Sequence, residues 1–245
     1  MRGMRMQLTD LARSPAFIPH VYDYCDLWCA SCPVTSRCLL FSAGLAGDGS
    51  STDADLNEEI QEGIAFARAV ADATRTPVAD LDVRLADPAS APRAPALGDP
   101  LELLARHYAV QTGRFLLMKG IDVGERPGGP HGEPLMVIAW YHVMIAAKTY
   151  RALVSDHLSA RQRVLHDDAL ASGKLALIGI DRSLAAWHRF ESASDDGRIG
   201  GLVELLETLR CAVDRRFPAA RGFVRPGLDE PEAGAVAPAP VEDTP

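Results

Sequence analysis

Through most of its length the chain repeats apolar residues at intervals of three and four, the period of a helix with one buried face. A first helix is predicted over 57–74, where Ile60, Ile64, Ala67 and Ala71 share a face and Asp55 with Glu58 forms a capping box. A second is predicted over 100–119. Asp99 is its N-cap, Pro100 suits the first helical position, and Gly120 is the terminator. Leu101, Leu104, Tyr108 and Phe115 supply its apolar face. The third, over 133–155, is apolar nearly all round and is expected at the centre.

The fourth helix, over 167–190, carries a line of large residues: Leu177, Ile180, Leu184 and Trp187. Beside it runs a line of small ones, Ser172, Ala176, Gly179, Ser183 and Ala186. A glycine inside a helix costs about 1 kcal/mol against alanine. A stripe without bulk therefore predicts the close approach of another helix. The fifth, over 201–217, shows Leu202, Leu205, Leu206, Leu209 and Val213.

No run of alternating β-branched residues competes with these helices, and no internal repeat is visible. The predicted fold class is all-α, a bundle of about five helices preceded by an N-terminal four-cysteine metal-binding loop. Residues 43–53 (Gly, Ser and Asp) read as a linker, and 86–98 (Pro and Ala) as a loop. Three units are expected: an N-terminal segment with the cysteine loop over 1–52, the bundle over 53–228, and a disordered acidic, Pro/Ala-rich tail over 229–245.

Composition narrows the setting. With 47% hydrophobic and 24% charged residues the profile is that of an average soluble chain. No apolar stretch reaches the roughly 18 residues of a membrane span, so no membrane contact is expected. Asp10 and Arg13 interrupt the N-terminus where a signal peptide needs an apolar block. A cytoplasmic protein with reduced thiols follows as the expectation. The net charge of −8, without a basic face or tail, argues against nucleic acid as a partner.

Against this background the cysteines stand out. Four of the five, Cys25, Cys29, Cys32 and Cys38, fall within one window of 14 residues, YCDLWCASCPVTSRCLLF, spaced C-x3-C-x2-C-x5-C. So tight a cluster in a reducing compartment points to metal rather than disulfides. Four thiolates from one short loop can cap the corners of an iron–sulfur cubane. Tyr24, Trp28, Leu39, Leu40 and Phe41 are placed to shield such a site from water. Zinc is the alternative, although structural zinc sites usually pair two knuckles far apart in sequence. Cys211, on the last helix, reads as an incidental thiol.

The stretch C-A-S-C-P-V-T-S-R-C resembles the cluster-binding segment of WhiB-like iron–sulfur regulators, with the same C-x2-C-x5-C spacing and a Pro-Val pair, here Pro33-Val34. It is also similar to the terminal cysteine loop of endonuclease III-type glycosylases. The resemblance covers residues 25–39 only. It implies that Cys25, Cys29, Cys32 and Cys38 ligate one [4Fe–4S] cluster. Neither the basic DNA-binding tail of the one family nor the helical DNA-binding module of the other is recognisable.

Elsewhere the candidates are weaker. His142 lies on the apolar line of the third helix, where a buried neutral histidine with one hydrogen-bond partner is the ordinary role. Lys174 and Asp181 stand two turns apart on one face of the fourth. Together with Lys148 and Arg182 they would build a charged inter-helical pocket for a small anionic ligand or for catalysis, if the two helices face each other. The competing role is a salt-bridge network. No Glu-x-x-His pair, phosphate loop, dinucleotide turn or nucleophile elbow is present.

The leading expectation is an iron–sulfur protein that responds to redox state or carries electrons, its bundle serving a protein partner or a small ligand. The second is an enzyme using His142, Lys148, Lys174 and Asp181, with a structural metal loop. The third is a zinc-stapled interaction scaffold.

Overall fold

The computed structural model of the chain describes residues 14–19, 21–29, 32–42, 96–121, 132–159, 163–194 and 196–229. The helix predicted over 57–74, the 43–53 linker, most of the 86–98 loop and nearly all of the 229–245 tail lie outside these residues. Among the described residues all regular structure is helical. A single-turn α1 (Leu39–Ser42) precedes α2 (Pro100–Met118), α3 (Gly132–Ser159), α4 (Arg163–Glu191) and α5 (Arg198–Arg216). Single 3-10 turns lie at Val21–Tyr24, Thr35–Arg37 and Ala220–Gly222. No helix among the described residues is long and apolar enough to cross a membrane.

Local chemistry sets the ends of α2. The Asp99 carboxylate accepts the backbone N–H of Leu101 at 2.8 Å, and Pro100 occupies the first turn where no N–H is needed. Glu102, in the first turn, accepts the N–H of Gly98 at 3.3 Å. At the other end Gly120 takes φ +67°, a conformation costly for any side chain. The N–H of Gly120 bonds the Leu117 carbonyl and that of Ile121 bonds Leu116, a Schellman closure.

Helix α3 runs past the predicted end at residue 155, and α4 begins before the predicted start at 167. The polar run that suggested a boundary is internal to the helical hairpin. Arg151 and Ser155 on α3 both reach Asp168 on α4, each at 2.5 Å. The Ser159 hydroxyl donates to the Asp156 carbonyl at 2.7 Å within the last turn.

Among the described helices the α3–α4 pair forms the most extensive contact. It depends on the small-residue stripe. A Cβ on Gly179 would lie 3.0 Å from Ile145 Cγ1 and from Met144 Cε, and 3.1 Å from Tyr141 Cδ1. Helices α2 and α5 pack with this pair around Trp187, which is fully buried. Its ring meets Phe115 edge-on at 5.3 Å, and its indole N–H donates to the Tyr108 hydroxyl at 3.1 Å. Burial of side chains this large contributes roughly 2–3 kcal/mol each.

The cysteine segment carries a small core of its own: Ile18, Val21 and Cys38, flanked by Tyr22, Val34 and Leu40. Leu228, from the end of the described chain, closes it. The segment also packs directly on the bundle, because Trp28 lies against the main core.

Candidate metal centre

Two 3-10 turns and a tight bend shape the cysteine loop. Cys25 follows the first turn, and its thiol donates to the Tyr22 carbonyl at 3.4 Å. Leu27 then takes φ +58°, an unfavourable conformation for a branched side chain, and the N–H of Cys29 bonds its carbonyl at 2.9 Å. The N–H of Cys32 bonds the Cys29 carbonyl at 3.2 Å, and Cys38 closes the second 3-10 turn on Thr35.

All four cysteines line one cavity of about 20 Å³, together with Val21, Trp28, Val34 and Phe41. Cys38 is buried, and the other three thiols are half-buried. Burial pushes the Cys25 thiol up to about 11, with Asp26, Cys38 and Cys29 adding to the rise. Burial likewise raises Cys29, and Cys38 and Cys32 raise it further. Neighbouring sulfurs therefore oppose ionisation of Cys25 and Cys29. A bound cation would reverse that balance, since metals take thiols as thiolates.

The donor set fits such a group in number and type: four sulfurs around one shared space with aromatic and aliphatic walls. Among the described residues no three Cys, His, Asp or Glu side chains meet closely enough to grip a single ion as they stand. The thiols ring the cavity rather than converge at a point.

Asp26, inside the C-x3-C interval, anchors the loop to the bundle. Its carboxylate accepts the Tyr141 hydroxyl at 2.6 Å and the Arg182 guanidinium at 2.5 Å. Arg182 also donates to the Tyr141 hydroxyl. The Asp26 carbonyl accepts the Trp140 indole N–H at 3.1 Å. Trp28 then packs on the rings of Trp140 and Tyr141, at centroid distances of 5.8 and 5.7 Å. The sequence marks cysteines by their spacing, but no pattern in it singles out this aspartate.

Three of the other candidate residues, His142, Lys174 and Asp181, are engaged by separate partners. His142 is buried, and its Nδ1 donates to the Ala139 carbonyl at 2.7 Å, with the Nε2 edge toward Gly113 of α2. Lys174 bonds the Phe223 carbonyl and, at 2.7 Å, the Asp229 carboxylate. Asp181 accepts Arg221 at 2.9 Å. Lys148 is half-buried and lies in the field of Cys25, Asp168 and Asp23; burial lowers its pKa, with Arg151 adding to the effect. Of the four, Lys148 is the one placed beside the cysteine loop. Cys211 is exposed on α5.

A second cavity adjoins the first. It measures about 410 Å³ and opens between the cysteine loop, α4 and the turn around 225–228. Three arginines, Arg182, Arg189 and Arg225, reach its lining. No family model, curated protein or solved structure matches the chain.

Proposed function

We propose that the cysteine loop binds a [4Fe–4S] cluster through Cys25, Cys29, Cys32 and Cys38, and that the protein responds to redox state or carries electrons. The observation that carries this reading is the lining of one cavity by all four cysteines, in a loop clamped to a helical bundle. Cubane irons sit at separate corners, so their thiolates ring a volume. The C-x2-C-P-V-x3-C spacing over Cys29–Cys38 supports iron–sulfur chemistry beyond what four thiols alone would. Trp28, Val21 and Val34 limit water around the sulfurs, which tunes potential and slows oxidative loss.

The test is composition. Anaerobically purified protein should be brown and contain iron and acid-labile sulfide in equal amounts, about four of each per chain. Stoichiometric zinc in their place would overturn the reading. Zinc is the second reading, a stapled interaction scaffold, and the observation favouring it is the small size of the thiol cavity, about 20 Å³. The enzyme reading around His142, Lys148, Lys174 and Asp181 is the less favoured one, since His142, Lys174 and Asp181 are each engaged with a different partner.

A further inference from the structure

We infer that the larger cavity, between the cysteine loop, α4 and the 225–228 turn, is a receptor for a small organic anion with an apolar body. Its volume of about 410 Å³ falls in the range of small-molecule sites, about 300–1,000 Å³. Arg182 and Arg189 stand two turns apart on one face of α4, with Ala185 between them leaving space. Arg225 faces them from the C-terminal turn.

The lining is cationic in a chain whose net charge is −8. Asp26 is the one carboxylate in the lining, and Tyr141 and Arg182 already occupy it. Arg225 is held in place: its side chain is only 14% exposed and bonds both oxygens of Asp229. Lys174 shares that carboxylate, so two cations divide one negative charge. Arg189 touches Glu133 only at 3.5 Å, and both side chains are more than half exposed. An exposed pair of this kind is worth roughly 0–1 kcal/mol, so Arg189 is cheaply released to a ligand. A guanidinium matches carboxylate and phosphate in two-pronged geometry. Trp28, Val137 and Leu228 supply the wall for the apolar body.

The cavity shares Cys25 and Cys32 with the thiol site. A bound anion would therefore add negative charge beside the metal. It would make a cluster harder to reduce, and by reciprocity reduction would weaken anion binding. Anion binding itself goes beyond the cluster reading and does not depend on it; only this coupling rests on it.

The test is titration calorimetry on the full chain, purified anaerobically, with hexanoate, hexyl phosphate and the uncharged hexanamide as probes. One or both anions should bind and the amide should not; which anion binds more tightly identifies the head group. Arg189→Gln, checked for unchanged helicity by circular dichroism, should weaken binding about tenfold. Arg215→Gln, exposed on α5 away from the cavity, should leave it unchanged. Equal binding of amide and anions, no binding, or equal losses in the two variants would each overturn the inference. Metal content is measured on the same sample. Arginine-dependent anion binding by a zinc-loaded protein sustains this inference while removing the cluster; an iron–sulfur protein that binds no anion does the reverse.

Discussion

The phenol of Tyr141 and the carboxylate of Asp26 stand 2.6 Å apart across the seam between the cysteine loop and α3. Asp26 lies between two of the proposed ligands in sequence, so this bond fixes the loop where its ligands diverge. Burial raises the Tyr141 pKa, and the bond to Asp26 raises it further, keeping the phenol a donor. Arg182 lies over the same ring, 5.6 Å from its centroid, and neutralises the carboxylate from the solvent side.

Removing Asp26 should therefore loosen the loop without unfolding the bundle. Asp26→Ala strips the acceptor from both Tyr141 and Arg182, at a cost of about 1–3 kcal/mol local to the loop. Tyr141→Phe removes one donor and leaves Arg182 in place, so its effect should be smaller. With the proposed cluster in place, its loss to a chelator, followed in time, should be fastest in Asp26→Ala, intermediate in Tyr141→Phe and slowest in the wild type. Far-ultraviolet circular dichroism should be alike in all three. Equal rates would show that the clamp does not govern the loop.

Lys148 gives a prediction specific to the proposed cluster. Its ammonium lies in the field of Cys25, and a positive charge beside a cluster favours the reduced, more negative state. Lys148→Met keeps an unbranched side chain one atom shorter and removes its charge. The midpoint potential should become more negative, with iron content unchanged. Lys174→Met is the control, because Asp229 and the Phe223 carbonyl already engage that lysine. Equal shifts in the two variants would mean that Lys148 has no privileged place.

The fold was legible where local chemistry decides it. Asp99, Pro100 and Gly120 marked the two ends of α2 because caps and terminators act through neighbouring backbone groups. The small stripe on α4 announced a close helix, and α3 is that helix. The ends of α3 and α4 lie beyond the expected 155 and 167 because the polar residues there are internal to the hairpin, Ser155 bonding Asp168 across it. At the candidate site the cysteines were legible from spacing alone. Asp26, Tyr141, Arg182 and the arginine-lined cavity were not. Asp26 and Tyr141 lie 115 positions apart, and Asp26 and Arg182 lie 156 apart, so only tertiary packing unites them.

The two glycines inside α4 should respond differently to the same methyl group. At Gly179 the added carbon would meet Ile145 and Met144 at 3.0 Å and Tyr141 at 3.1 Å. Met144 can yield, but Tyr141 is tied to Asp26 and Arg182. Overpacking there should cost about 1–3 kcal/mol, outweighing the roughly 1 kcal/mol that alanine returns in helix propensity. At Gly173 the contacts are looser, Ala220 Cβ at 3.2 Å and Phe217 Cβ and Cγ at 3.4 Å, close to ordinary van der Waals distance. Gly173→Ala should be near neutral. Urea midpoints of the two variants check the ranking, and a Gly179→Ala protein as stable as the wild type would show that α3 recoils freely.

His142 sets a pH dependence whose sign can be worked out. Burial lowers its folded pKa, against the opposing pull of the Ala139 and Ile138 carbonyls. The unfolded imidazole titrates near its ordinary value of about 6.5. As pH falls, the unfolded chain takes up this proton before the folded one does. Stability from His142 is therefore full above about pH 6.5 and declines as pH falls from there toward the lowered folded value. His142→Met fills similar space and cannot titrate. Comparing urea midpoints of the two proteins at pH 7.5 and pH 5.5 cancels the remaining histidines, which both share. The wild type's advantage should shrink at the lower pH, whereas a constant difference would place the titrating proton elsewhere in the fold.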